Sequence, residues 1–238
     1  MSFGKLCCKA YNLLLMEDDA HFANLRNRMV TEQIVSRGVT DERVLAALRR
    51  VPRHWFVPEE YANIAYSDSP LPIGHGQTIS QPYIVALMTE LLELEGEENV
   101  LEVGTGSGYQ AALLAYLAHK VHSIERYTEL ADKADEVMMR MGMTNVLVHV
   151  GDGSLGLPKY APFQAIMITA AAPHVPQPIF DQLAEGGRLV LPVGGAGGQM
   201  LDRWRKQAGE FTQEHITPVA FVPLRGQHGW KENNWGVY

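Results

Sequence analysis

Cysteine is almost missing from this 238-residue chain: Cys7 and Cys8 stand side by side and no other follows. Adjacent cysteines rarely form a structural bridge, so no disulfide framework is expected, and the chain suits a reducing, cytoplasmic compartment. A run of eighteen apolar residues is also missing, which excludes a membrane-spanning helix of ordinary length. No secretory signal is expected at the start of the chain, because Lys9 breaks the short apolar stretch that begins at Leu6. Basic charge is in deficit: 20 Lys and Arg stand against 27 Asp and Glu, a formal net charge of −7. A nucleic-acid protein needs a basic face, so neither nucleic acid nor membrane is an expected partner. The nine histidines have no ligand-type spacing, and no metal is expected. There is no internal repeat and no low-complexity linker. Residues 1–19 lack an apolar periodic face and read as a disordered leader or as upstream sequence, leaving 20–238 as one domain. That domain divides into an N-terminal helical part over 20–95 and a cofactor-binding sheet with a C-terminal hairpin over 96–238.

What is present is a pattern of short apolar runs alternating with helical stretches. Leu25, Met29, Ile34 and Val35 give a first helical face that ends at Gly38. Thr40 is the expected cap of a second helix, with Val44, Leu45, Ala47, Leu48 and Val51 on its apolar face and Pro52 ending it. Prolines and glycines between Arg53 and Gly76 predict an ordered loop or short edge strands. Ser80-Gln81-Pro82 opens a helix to about Glu95, with Ile84, Leu87, Met88, Leu91 and Leu92 inward. The apolar runs at Asn99–Val103, Lys120–Ile124, Asn145–Val150, Gln164–Ile168 and Arg188–Pro192 read as buried strands, with helices near Tyr109–Leu117, Glu129–Met141 and Pro178–Leu183 between them. Such alternation predicts an α/β fold, a Rossmann-like doubly wound, mostly parallel sheet carrying helices on both faces. Met200 to Leu224 adds an antiparallel C-terminal hairpin at the sheet edge.

The first strand runs into Glu102-Val103-Gly104-Thr105-Gly106-Ser107-Gly108. Glycines at this junction let the backbone turn tightly and approach a ligand over a helix N-terminus. Tyr109 stands where a dinucleotide fingerprint would carry its third glycine, and acidic Glu102 precedes the loop; both count against a nicotinamide-dependent dehydrogenase. The second strand ends at Glu125, where a carboxylate can accept both ribose hydroxyls of a nucleoside; alone it is equally a surface glutamate beside Arg126. The third ends in Gly151-Asp152-Gly153, where an acid can face an adenine amino group or simply shape a turn. Three acidic strand ends around one glycine loop resemble the class I S-adenosylmethionine-dependent methyltransferases. The resemblance implies Glu102, Gly104, Thr105, Gly106, Gly108, Glu125, Asp152 and Gly153 as cofactor-binding residues, with S-adenosyl-L-homocysteine as the product.

A more specific likeness covers roughly residues 22–230. Tyr66-Ser67-Asp68-Ser69-Pro70-Leu71-Pro72-Ile73-Gly74 and Gln77-Thr78-Ile79-Ser80-Gln81-Pro82 closely resemble the signature of the protein-L-isoaspartate O-methyltransferase family, and Val51-Pro52-Arg53, Phe56-Val57-Pro58 and Phe221-Val222-Pro223-Leu224 join them. The resemblance implies a monomeric enzyme that methylates isoaspartyl-containing proteins and peptides. It also implies Ser80 as the catalytic residue, with Gln77, Thr78 and Ile79 bordering the cofactor. Ser80 equally stands where a helix N-cap should, and Asp68 reads as a turn residue or a pocket wall. No contact is carried over to residues 1–19 or to the tail from Arg225 to Tyr238. The chemistry agrees with the absence of an acid–base pair: a free isoaspartyl carboxylate is an α-carboxylate, with a pKa of about 3.3–3.7, and needs no general base at neutral pH. The same fold also serves methyltransferases acting on small molecules or RNA, and regulatory proteins that bind the cofactor without turnover.

Overall fold

In the computed structural model, residues 20–231 and Trp235 are described. The leader expected over residues 1–19 lies outside them. A seven-stranded sheet has the order β5-β4-β3-β6-β7-β8-β9. Its strands are β3 (Asn99–Val103), β4 (Lys120–Glu125), β5 (Val146–Val150), β6 (Phe163–Ile168), β7 (Leu183–Gly195), β8 (Gly198–Gln207) and β9 (Glu210–Val219). The first five pair in parallel and the last two return antiparallel, as the sequence pattern predicts. β3 is flanked by β4 on one side and β6 on the other, so the connections diverge there. Open α/β sheets bind ligands at the carboxyl ends of the two strands at such a switch point.

Alternation along the strands sends Val100, Val121, Ala165, Met167 and Val190 to one face. There they pack on α2 (Glu42–Arg50), α3 (Pro82–Leu91), α4 (Tyr109–Ala115) and α5 (Thr128–Arg140). Leu101, Val103, Ile124, Ile166, Ile168, Leu189 and Leu191 form the opposite face, covered by α6 (Gln177–Gln182), by Tyr160 and by the returning Leu224. The two-sided cover is therefore uneven. A small antiparallel pair, β1 (Leu71–Gly74) with β2 (Gln77–Ile79), stands apart from the main sheet and leads into α3. Among the described residues no helix is long and apolar enough to cross a membrane.

Three local expectations need correction. The first helix, α1 over 20–28, widens into a π-helical turn at Met29–Ile34 and ends in a 3-10 turn at Val35–Arg37. The wider turn shifts the phase, so Val30 is buried and Val35 is 40% exposed. The cap of α2 is Asp41, which accepts from the N–H groups of Arg43 and Val44, whereas the Thr40 N–H is spent on Glu90. The inward face of α3 is Val85, Ala86, Met88 and Thr89, followed by Leu92; Ile84, Leu87 and Leu91 are only half-buried.

The strand-to-helix junction explains one glycine directly. Gly108 has φ +88°, and a Cβ there would lie 3.0 Å from both the Ala134 Cβ and the Met138 Cε of α5. Gly108 thus lets the loop press against α5; it is not on the wall of either cavity described below. Replacing Gly108 with Ala should destabilise the protein by about 2–3 kcal/mol, from left-handed strain plus overpacking. A thermal melt checks this: an unchanged midpoint would mean the loop relaxes at no cost.

Candidate active site

At the switch point, β3 ends in Val103 and β6 in Ile168, and the residues just beyond them are tied together. The Thr169 N–H donates to the Val103 carbonyl at 2.9 Å and its hydroxyl donates to the Gly104 carbonyl at 2.6 Å. Gly104 has φ +97°, and a Cβ there would stand 2.4 Å from the Thr169 hydroxyl oxygen. The close approach therefore requires glycine. The Gly106 N–H donates to Glu125 Oε2 at 2.9 Å, and Oε1 accepts from the N–H groups of Arg126 and Tyr127 at 2.8 and 3.0 Å. One carboxylate at the tip of β4 thereby holds both the glycine loop and the start of α5. A carboxylate has about four acceptor positions, so the backbone takes most of this one and roughly one remains for a ligand.

Glu125 also divides the space around it. With Gln77, Gly104 and Ala170 it lines two adjoining cavities. The inner one adds Thr78, Ile79, Ser80, Met88, Thr105, Gly106, Ser107, Gln110 and Thr169 to the wall. The other is a slot whose apolar walls are Val103, Ile124 and Leu224, beside Tyr127, Gly153, Arg126 and Arg225. A chamber carrying Gln77, Thr78, Ser107 and Gln110, then a carboxylate, then a slot with the apolar walls Ile124 and Leu224 match in that order the amino-acid end, ribose and base of a nucleoside-type cofactor. A third space, a cleft of about 460 Å³, opens outward between Arg37, Tyr83 and the segment from Thr217 to Val222. Thr78, Ser80, Thr169 and Val222 belong to both the inner cavity and this cleft. A group entering from outside meets the inner chamber at those four residues.

Ser80 is free for that boundary because another residue caps α3. The cap position is Gln81 and no side chain of its own segment serves it. Asp68 does so instead: its Oδ1 accepts from the Tyr83 N–H at 3.2 Å, and its Oδ2 accepts from Gln81 Nε2 at 2.7 Å and from Arg37 Nη1 at 2.8 Å. The capping reading of Ser80 is thereby corrected, and Asp68 is the support behind the cleft wall.

Two of the three acidic strand ends do other work than expected. Glu102 is fully buried and lies on neither cofactor-side cavity wall. The Ser123 hydroxyl donates to it, and the Ser123 and Thr105 hydroxyl oxygens are 2.5 Å apart, so Glu102 props the loop from beneath. Burial pushes its carboxyl up to about 8, with the nearby Glu125 charge adding to the rise. Asp152 does not face the apolar slot: its Oδ1 accepts from the Ser154 N–H and hydroxyl, and its Oδ2 from the Gln227 N–H at 2.7 Å. Burial alone would raise the Asp152 carboxyl, but these bonds outweigh it and hold the group below its usual value. Its neighbour Gly153 does line the slot.

Sequence reasoning missed Thr169, Ser107, Gln110, Tyr127 and Leu224 as wall residues. Thr169 was discoverable only with the strand order in hand, since its role depends on β6 lying beside β3. The histidines also prove less scattered than their spacing: His122 and His149 stack with ring nitrogens 3.1 Å apart, on β4 and β5. Burial, with His149 and Lys120 nearby, pushes His122 down to about 4. No group of three or more His, Cys, Asp or Glu is placed to hold a metal among the described residues.

Comparison with known proteins agrees with this geometry. The family model described as protein-L-isoaspartate(D-aspartate) O-methyltransferase (PCMT) matches residues 24–229. A protein-L-isoaspartate O-methyltransferase of Methanoculleus marisnigri is 56% identical over 206 residues, 87% of this chain and 94% of its own. One of Syntrophobacter fumaroxidans is 54% identical, over 89% of this chain and 99% of its own. A solved protein-L-isoaspartate O-methyltransferase superposes with a TM-score of 0.77 at 28% identity, over 86% of this chain and 67% of its own. A Plasmodium falciparum structure of the same description, in complex with S-adenosyl-L-homocysteine, gives 0.74 at 26% identity, over 84% and 98%.

The buried Glu102 carboxyl predicts a pH dependence. Its folded value is raised above the unfolded one, so its contribution is complete below the ordinary carboxylate range and is lost as pH rises toward about 8. Glu102→Gln removes that loss. Urea unfolding should show the variant gaining on the parent by at most about 1.4 kcal/mol per pH unit across this window. A difference that stays flat with pH would mean Glu102 titrates as an exposed carboxylate does.

Proposed function

The chain belongs to the protein-L-isoaspartate(D-aspartate) O-methyltransferase family, and on that premise we propose that it transfers a methyl group from S-adenosylmethionine to the free carboxylate of L-isoaspartyl residues in damaged proteins, which begins their repair. The observation that carries this reading is the shared boundary of Thr78, Ser80, Thr169 and Val222 between an inner chamber and an outer cleft. A donor held inside and a peptide held outside meet only there. The residues present fit the donor: Glu125 for the ribose, the slot of Ile124, Tyr127, Gly153 and Leu224 for the base, and Gln77, Thr78, Ser107 and Gln110 for the polar end. When bound, S-adenosylmethionine supplies an already activated methyl group on its sulfonium.

The remaining work falls to positioning. The incoming carboxylate is ionised at neutral pH, so no side chain has to remove a proton. The Ser80 hydroxyl donates a hydrogen bond to one carboxylate oxygen and leaves the other in line with the methyl group. The N-terminus of α3, which Ser80 adjoins, adds a favourable field for an anion. Alignment of this kind accounts for several kcal/mol of a barrier. The chain acts as a monomer in the cytoplasm, with residues 20–95 and the segment from Thr217 to Val222 furnishing the substrate side, and the sheet from 96 onward, with Gln77 and Thr78, the cofactor side. An RNA substrate is disfavoured, because Arg37 is the one charged residue on the cleft wall and the chain carries a net charge of −7.

Two measurements test this. Because Asp68 rather than Ser80 caps α3, Ser80→Ala should alter stability by less than about 0.5 kcal/mol and yet lower turnover tenfold or more. Turnover that merely tracks the folded fraction would make Ser80 structural. The second is substrate choice. An isoaspartyl residue carries its free carboxylate one carbon closer to the backbone than aspartate does, and a misplacement of about 1 Å costs on the order of 100-fold in rate. Radiolabelled methyl transfer to an isoaspartyl peptide and to its aspartyl twin should label only the first, as a base-labile ester. Equal labelling of the twins would overturn the assignment.

A further inference from the structure

Among the residues lining the outer cleft, Arg37 is the one with a charged side chain. Its guanidinium carbon lies 3.4 Å from the centroid of the Tyr83 ring, and its Nη1 donates to Asp68 Oδ2 at 2.8 Å. Stacking on an aromatic face and a hydrogen bond at one corner fix the plane of the group. The other corners are unspent: a guanidinium has five N–H donors, and only Nη1 forms a hydrogen bond among the described residues. Asp68 is already largely occupied, its two oxygens accepting from the Tyr83 N–H, from Gln81 and from Arg37. The Arg37 side chain keeps 44% of its surface exposed. The cleft wall therefore presents a guanidinium that is ion-paired with Asp68 at one corner and keeps free donors at the others, in a chain whose net charge of −7 would otherwise repel an anionic peptide.

Arg37 is not where the methyl group arrives. The boundary between cleft and inner chamber is Thr78, Ser80, Thr169 and Val222, and Arg37 borders the cleft alone. The carboxylate that is methylated must reach that boundary, so any anion that meets Arg37 belongs to another residue of the same peptide. Resting on the isoaspartyl reading, we propose that Arg37 is a specificity residue that binds a carboxylate flanking the damaged position. Acidic neighbours are thereby favoured and lysine neighbours disfavoured. The site otherwise offers apolar and uncharged walls, so flanking charge is the one feature of context it reads strongly.

The test uses the full chain and three isoaspartyl peptides of equal length, with Glu, Gln or Lys at the second residue on either side of the lesion. The parent protein should prefer the Glu peptide over the Gln peptide by about threefold in kcat/KM, the factor expected of an exposed ion pair, with Lys poorer still. The preference should reside in KM and fade at high salt. Arg37→Gln should bring the three peptides to near equality, and Arg37→Lys, which keeps the charge without the fork, should retain their order with a smaller spread. The proposal is overturned if Arg37→Gln leaves the spread unchanged, or if it lowers all three peptides by one factor, which would mean Arg37 acts only by steadying Asp68. Should the Gln variant fail to fold, the Lys variant decides alone by whether its spread narrows. A parent protein that methylates none of the three overturns the isoaspartyl reading itself, a result separate from any change in their ratio.

Discussion

The Glu125 carboxylate is the clasp around which the site is assembled. It sits at the end of β4, where a parallel strand gives way to the first turn of α5, and takes N–H groups from Gly106, Arg126 and Tyr127. A hydrogen bond to a charged acceptor contributes about 1.5–3 kcal/mol, and between them these join two parts of the site. The Gly106 bond draws the glycine loop across from β3. The Arg126 and Tyr127 bonds set the start of α5 and with it the Tyr127 wall of the apolar slot. Thr169 completes the arrangement from the other side, holding the Gly104 carbonyl from the end of β6. Three neighbouring strand ends are thus locked at fixed spacing before any ligand is present, and a bound ligand has little ordering cost to meet.

The carboxylates of this chain show how environment assigns chemistry to one functional group. Glu125 is satisfied by backbone donors and lines a cavity. Glu102, two residues before the loop, has one hydroxyl partner and no solvent, and its second oxygen has no partner among the described residues. The neutral form is favoured there, which keeps a second negative charge from standing beneath the loop that Glu125 already holds. Asp68 is occupied by a helix N–H, an amide and a guanidinium, and so becomes scaffold for the cleft wall. Sequence alone ranks these acids alike, as strand ends and turns. Their solvation and their donors separate them.

How far the residues could be read in advance follows from the range of the forces involved. Strand positions were legible because buried parallel strands are short apolar runs, and β3 to β6 fall within a residue of expectation. β7 is longer, Leu183–Gly195: at its end β8 extends pairing to the hairpin turn beyond the apolar run, and at its start Leu183 pairs with Phe163 of β6 ahead of a register shift. The glycine loop and Glu125 were legible because loop and strand end are local features. Asp68 was not, because the N–H it accepts belongs to Tyr83, fifteen residues on, across β1 and β2. With no strand order, Thr169 could not be matched to Gly104. With no fold to bury it, Glu102 looked like a ligand. The π-helical turn at Met29–Ile34 defeated periodicity in the same way, since one wider turn changes which residues face inward.

The division of labour between the two parts of the chain has a mechanical consequence. The floor of the inner chamber is built by the strand ends of the sheet, but Gln77, Thr78, Ile79, Ser80 and Met88 on its wall come from the β2–α3 segment, which belongs to no strand of that sheet. Packing holds the two in register, with Val85, Ala86, Met88 and Leu92 of the α3 region sharing one core with Val100, Val121, Met167 and Val190 of the sheet, and Arg188 of β7 adds a hydrogen bond to the Leu92 carbonyl at 2.7 Å. Cores close-packed to crystal density transmit small displacements. Transfer to an already ionised oxygen leaves nothing for a side chain to supply except distance and angle. The accuracy of this core is therefore itself a catalytic quantity, and a methylene lost at Leu92 or Val100, which line none of these spaces, would register in turnover before it registered in the binding of either ligand.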